Sequence, residues 1–111
     1  MNTTTTYADG NWHHVVVTES TTNGANLYVD GVLQATDATM TASQSYGGYW
    51  RIGYDNLLGW TNAPTSYLFN GSLDDIAVYN TELTASQVYT LYGGGRRRYV
   101  PAVPWHYKLI R

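Results

Sequence analysis

The 111-residue chain contains no cysteine, which excludes disulfides and thiolate metal sites and leaves the redox compartment open. Nowhere does it contain an apolar run of about 18 residues, so the sequence predicts no membrane-spanning helix. A charged-then-apolar leader is also missing, and a protein of this sequence acting outside a cell is expected to have lost an upstream segment. Charged residues make up only 13% of the chain and the net charge is −2. That small value hides an asymmetry. Residues 1–95 carry all eight acids and a single cation, Arg51, for a net −7, whereas residues 96–111 carry five cations. An acidic body argues against a nucleic-acid-binding domain, and a basic end reads as a solvated or interaction arm.

Tyrosine and tryptophan are abundant: eleven Tyr and four Trp stand against a single Phe. Most of the ring surface therefore carries a polar edge, suited to wet recognition surfaces. At this length the chain is one domain at most, burying about two thirds of its unfolded surface.

"NWHHVVVTE" alternates within a β-branched run, and Asn23-Gly24 turns it into "ANLYVDGVLQAT", which contains a second turn at Asp30-Gly31. Both dipeptides tolerate the positive φ of tight hairpin turns, so three antiparallel strands are predicted over residues 12–20, 25–29 and 32–36. "GGYWRIGYD" predicts another strand over residues 49–54, and the polar loop that follows, to about residue 66, carries Trp60. "FNGSLDDIAVYN" predicts a further strand. Its alternation places Asp74 with Ile76 and Val78, and Asp75 with Leu73, Ala77 and Tyr79. "LTASQVYTLYG" has the marks of a short helix near residues 84–92. Thr84 is its N-cap, Gln87 its capping-box partner, Leu83 and Val88 its staple, Val88, Leu91 and Tyr92 its apolar stripe, and Gly93 its expected stop. Beyond it, three glycines predict a hinge into a basic, aromatic tail over residues 93–111.

In this order, "DGNWHHVVVT", "NLYVDGVLQAT", "YWRIGYD" and "FNGSLDDIAVYNTELTASQVYTLY" resemble the laminin-G-like, concanavalin A-like jelly-roll family over about residues 7–92. Matching positions are Trp12, His14, Tyr28, Asp30, Gly31, Ile52, Gly53, Gly71, Asp74 and Tyr79. The resemblance implies an all-β, two-sheet antiparallel sandwich, an extracellular or cell-surface setting, and carbohydrate or protein recognition. Family members usually carry several strands ahead of the one matched by "WHHVVVT". Their absence implies a truncated sandwich, with open edges and part of its inner face left for a partner chain.

The resemblance gives Asp74 a structural carboxylate role, with Ca²⁺ binding in some members. Calcium needs six to eight oxygens, several from the region absent here, so bonds to backbone are the expected role for Asp74 and solvent for Asp75. Paired glycosidase acids would require two carboxylates at strand spacing on one face, which neither Asp74-Asp75 nor Glu19 and Glu82 provide; no enzyme activity is expected. His13 and His14 point to opposite faces and cannot readily chelate one ion; His14 is expected inside and hydrogen-bonded, His13 toward solvent.

The candidate ligand site is the aromatic loop. Tyr46, Tyr49 and Trp60 offer ring faces for sugar stacking, and Asp55, Asn56 and Asn62 offer hydrogen bonds; the alternative is Trp50 in the core and tyrosines on an ordinary surface. For the tail, Val103, Trp105 and Ile110 are expected to dock on an exposed apolar face, with Arg96, Arg97 and Arg98 meeting the acidic body of the same or a neighbouring chain; the alternative is a disordered arm. Asn2-Thr3-Thr4 and Asn70-Gly71-Ser72 fit the N-glycosylation pattern. Two functions follow as expectations: a non-catalytic, lectin-like or adhesive module binding a glycan or surface protein, and a self-assembling surface or fibre subunit completed by neighbouring chains.

Overall fold

The computed structural model describes residues 1–42, 47–49, 51–60 and 63–97, with side chains of residues 95–97 excepted. Its ordered frame is a three-stranded antiparallel sheet and one helix: β1 (Val15–Ser20), β2 (Gly24–Val29), β3 (Val32–Asp37) and α1 (Ala85–Arg97), with sheet order β1-β2-β3. The chain divides into two compact units, residues 1–43 with 75–111, and residues 44–74.

Turn chemistry sets both hairpins. Asp30 and Gly31 have φ of 53° and 77°, the doubly positive pattern whose twist matches paired strands, and Val29 faces Val32 across them. At the other end Ser20 pairs with Gly24 across a three-residue loop, and Gly24, the first residue of β2, takes the left-handed conformation, φ 68°. The Asn23 N–H donates to Ser20 Oγ at 3.0 Å within that loop. An irregularity between Leu27 and Tyr28 leaves Gln34 as the extra residue of β3, between Ala35, opposite Leu27, and Leu33, opposite Tyr28.

The register puts Val15, Val17, Leu27, Val29 and Val32 on one face and Val16, Thr18, Tyr28 and Leu33 on the other. Burial concentrates in the central strand, with Ala25, Tyr28 and Val29 buried, and in Val88 of α1. The helix starts as its sequence dictates. The Thr84 N–H donates to Gln87 Oε1 at 2.8 Å, and the Gln87 N–H donates to Thr84 Oγ1 at 3.3 Å, a closed capping box. Asn23 Nδ2 donates to both Glu82 oxygens, at 3.0 and 3.2 Å, fixing the first hairpin turn to the segment entering α1. Gly31 closes the second turn beneath the helix: a Cβ there would stand 3.0 Å from the Tyr92 ring and 3.1 Å from that of Tyr89.

Several sequence expectations are corrected. The first strand starts at Val15, opposite Val29; beyond that pair Asp30 enters its turn, and one bond from its N–H to His14 O at 2.8 Å is the last backbone link across the hairpin. Among the described residues of the stretch 49–54 no strand forms; Tyr54 makes an isolated bridge with Leu68, and Gly53, φ 78°, breaks the extended path. No strand forms over residues 69–80 either, where Asp75 itself is left-handed, φ 51°. One such residue ends the alternation that had assigned faces to the two aspartates. The helix does not stop at Gly93 but continues to Arg97, across the expected domain–tail boundary. The glycine penalty, about 1 kcal/mol each relative to alanine, weakens a helix without forbidding it. Among the described residues there is one sheet, and the second layer of a sandwich is not seen.

Candidate functional site

Residues 44–74 form the smaller unit, and the aromatic loop lies within it. Its base is the Tyr54–Leu68 bridge, flanked by a Phe69 N–H bond to Gly53 O at 2.8 Å and an Asp55 N–H bond to Tyr67 O at 3.4 Å. The tip turns at Gly59, φ 84°. There the Trp60 N–H donates to Leu57 O at 3.1 Å, and Trp60 O accepts from the Ala63 N–H at 3.2 Å. Both backbone polar groups of Trp60 are thus engaged, while its side chain projects with 68% of its surface exposed; Tyr49 is 94% exposed.

The polar residues expected to meet a ligand also serve the loop. Asp55 Oδ1 accepts from the Asn56 N–H at 2.8 Å and from Arg51 Nη1 at 3.4 Å, and Asn56 Oδ1 accepts from the Leu58 N–H at 3.0 Å. The Arg51–Asp55 pair is exposed on both sides and contributes little to stability. Among the described residues, Asp55 Oδ2 and the Asn56 amide NH₂ make no hydrogen bond. Tyr46 and Asn62 lie outside the described residues, as does Trp50. Leu58, Leu68 and Phe69 of the same unit are exposed as well, and the sequence signal for them is large apolar side chains within a Gly-, Asn- and Pro-containing segment.

The two aspartates differ in burial from expectation. Asp74 is exposed and Asp75 half-buried. Among the described residues no three His, Cys, Asp or Glu side chains converge as a metal site would require. An exposed carboxylate without such companions does not fit the oxygen-rich shell that Ca²⁺ needs, and no calcium chemistry is derived for Asp74.

His13 is hydrogen-bonded on both ring nitrogens rather than turned to solvent, while His14 is turned inward as expected but without a ring hydrogen bond among the described residues. His13 Nδ1 lies 2.8 Å from Asp30 Oδ2, and Nε2 lies 3.0 Å from Asp9 Oδ1. Asp30 Oδ1 accepts the His14 backbone N–H at 3.0 Å, and the Asp30 N–H donates to His14 O at 2.8 Å. The Asp30 side chain thus joins its turn to the start of β1 rather than capping its own backbone. Its bond, with that from Asp9, raises the His13 pKa above the ordinary 6.5. Asp9 is pulled well below the usual carboxylate range by its bonds to Asn11 and His13. His14 stacks on Tyr92, ring centroids 6.2 Å apart, and burial lowers its pKa. Its Nδ1 is buried with no hydrogen-bond partner among the described residues.

Arg96 and Arg97 fall in the last turn of α1, not in an arm beyond it. Their side chains, with Arg98, Val103, Trp105 and Ile110, lie outside the described residues. No helix among the described residues is long and apolar enough to cross a membrane.

No curated protein matches the chain. Among solved structures, it is similar to residues 221–444 of an S-layer domain-containing protein from Clostridium thermocellum ATCC 27405, at 25% identity and a TM-score of 0.64. The alignment covers 81% of this chain and 43% of that one, so the chain spans less than half of its neighbour's length. The family model described as the concanavalin A-like lectin/glucanases superfamily matches residues 1–89, most of the sequence. With its paired hairpins, capped helix and this match, the chain belongs to the laminin-G-like branch of the concanavalin A-like lectin/glucanase superfamily.

Proposed function

We propose that the chain is a non-catalytic recognition module of an extracellular or cell-surface protein, and that it binds a glycan on the Trp60 loop. The observation that carries this reading is a solvent-facing indole on a backbone held at both its N–H and its C=O. Sugars present apolar C–H faces that stack on such rings, and a fixed platform loses little entropy on binding. Tyr49, Asp55 and Asn56 supply a second ring and polar groups nearby in sequence. Family membership and the S-layer domain-containing neighbour support the surface setting. A glycan array, followed by titration of the best ligand, tests the reading. Absence of any bound glycan counts against it.

A second reading is favoured by one observation: Val15, Val17 and Val32, 60%, 60% and 57% exposed, share a sheet face with Leu27 and Val29. An apolar sheet face calls for a second layer, and the sandwich of this superfamily would provide one. In this reading the chain is a structural subunit whose sandwich is completed by neighbouring chains, with the tail docking through Val103, Trp105 and Ile110. Mass measurement in dilute solution decides, because a stable, folded monomer removes the need for a neighbour.

A further inference from the structure

We propose that His13 works as a doubly protonated clasp, joining the segment Tyr7–Asn11 to the Asp30-Gly31 turn and letting go of that segment as the medium becomes alkaline. The geometry requires the charge. Each ring nitrogen stands within hydrogen-bond distance of a carboxylate oxygen: Asp30 Oδ2 at 2.8 Å and Asp9 Oδ1 at 3.0 Å. A carboxylate only accepts, whereas a neutral imidazole carries one N–H and one lone pair. Both bonds exist together only when both nitrogens are protonated. Deprotonation must set a nitrogen lone pair against an oxygen lone pair on one side.

Among the described residues, the groups around the ring offer no other source of balance. From the N-terminal segment come Asp9, whose Oδ1 also takes the Asn11 N–H at 2.9 Å, and Tyr7, whose ring centroid is 5.0 Å away. From the turn comes Asp30, and next along the chain His14, which offers Asp30 only its backbone N–H. Among the described residues neither carboxylate pairs with an arginine or lysine.

Which side lets go follows from how each carboxylate is held. Asp30 is 29% exposed and is fixed by its own N–H and by the His14 N–H, while Asp9 is 47% exposed on a segment outside the sheet. The remaining N–H stays on Asp30, and Asp9 leaves. The raised His13 pKa agrees with this sense: the clasp is complete below 6.5 and is lost as pH rises through the higher folded value.

Nitrogen-15 NMR of the whole chain across pH 5 to 9, read with amide exchange of residues 7–11, tests it. Expected are imidazolium-type signals from both His13 nitrogens at pH 6, a midpoint above 6.5, and amide exchange of residues 7–11 that is faster by roughly tenfold above that midpoint, after correction for intrinsic pH dependence. Asp9→Asn, an exposed change, should move the midpoint back toward 6.5 and abolish the pH-dependent step in exchange, while β1–β3 stay protected. His13→Gln identifies the signal by its loss. A neutral His13 tautomer at pH 6, or a step in residues 7–11 that persists unchanged in Asp9→Asn, overturns the proposal.

Discussion

Replacing Gly24 with alanine gives the sharpest test of how the first hairpin is built. Gly24 sits at φ 68°, and the left-handed region costs an L-residue about 1–2 kcal/mol. A Cβ would also stand 2.7 Å from Ala38 Cα and 3.0 Å from its carbonyl carbon, and would overlap the carbonyl oxygen of Asp37. These are backbone atoms and cannot rotate aside. Relief must come from opening the end of the β2–β3 ladder, where Ala25 pairs with Asp37, at a cost of about one hydrogen bond, roughly 1 kcal/mol. Gly10 is the control. It has φ 81°, but a Cβ there meets nothing within 4 Å, so Gly10→Ala should lose only the conformational part, about 1–2 kcal/mol. Gly24→Ala should therefore lose about 2–3 kcal/mol, read as a lower urea midpoint at constant slope. Equal losses in the two variants would refute the steric argument and with it the close approach of Gly24 to the end of β3.

Thr84→Ala should destabilise the protein by about 1 kcal/mol, because it removes the capping oxygen taken by the Gln87 N–H; thermal unfolding measures it. Glu82→Ala should cost about 1 kcal/mol, and combining it with Asn23→Ala should cost less than the sum of the two, since each removes the same contact. Asp37 has its pKa lowered by bonds from the Thr39 hydroxyl and N–H, so its contribution to stability is present above 3.8 and lost as pH falls through the depressed folded value. Acid unfolding of Asp37→Asn should accordingly begin with less stability to lose, and the difference from the parent chain should vanish at the lowest pH.

What was legible in the sequence was local. Asn23-Gly24 and Asp30-Gly31 encode their own turns, and two such turns between alternating β-branched segments leave few alternatives to a meander. Thr84 and Gln87 are three residues apart and satisfy each other. The strands expected over 49–54 and 69–80 are not formed among the described residues, because a strand needs a partner that its own sequence does not name. Within them Gly53 and Asp75 adopt left-handed conformations, leaving a single Tyr54–Leu68 bridge. The placement of Asp74 and Asp75 failed with that strand, since their faces were deduced from an alternation Asp75 interrupts. His13 was assigned to solvent because strand parity ignores the turn: Asp30 and Asp9 are 17 and 4 residues away in sequence, and only the folded chain brings both to one ring. At the candidate site, exposure of Trp60 was legible from its loop. The use of Asp55 and Asn56 as internal acceptors was not, because their nearest donors are their own neighbours' N–H groups.

The most direct measurement is the affinity of the parent chain and of Trp60→Ala for the best glycan on the array, by calorimetry at fixed salt. With Trp60 68% exposed, covering about half of that area at about 25 cal/mol per Å² is worth roughly 2 kcal/mol. The account predicts about thirty-fold weaker binding by Trp60→Ala, with the same unfolding midpoint, since the ring is solvent-facing. Unchanged affinity would contradict it and move the recognition surface away from this loop.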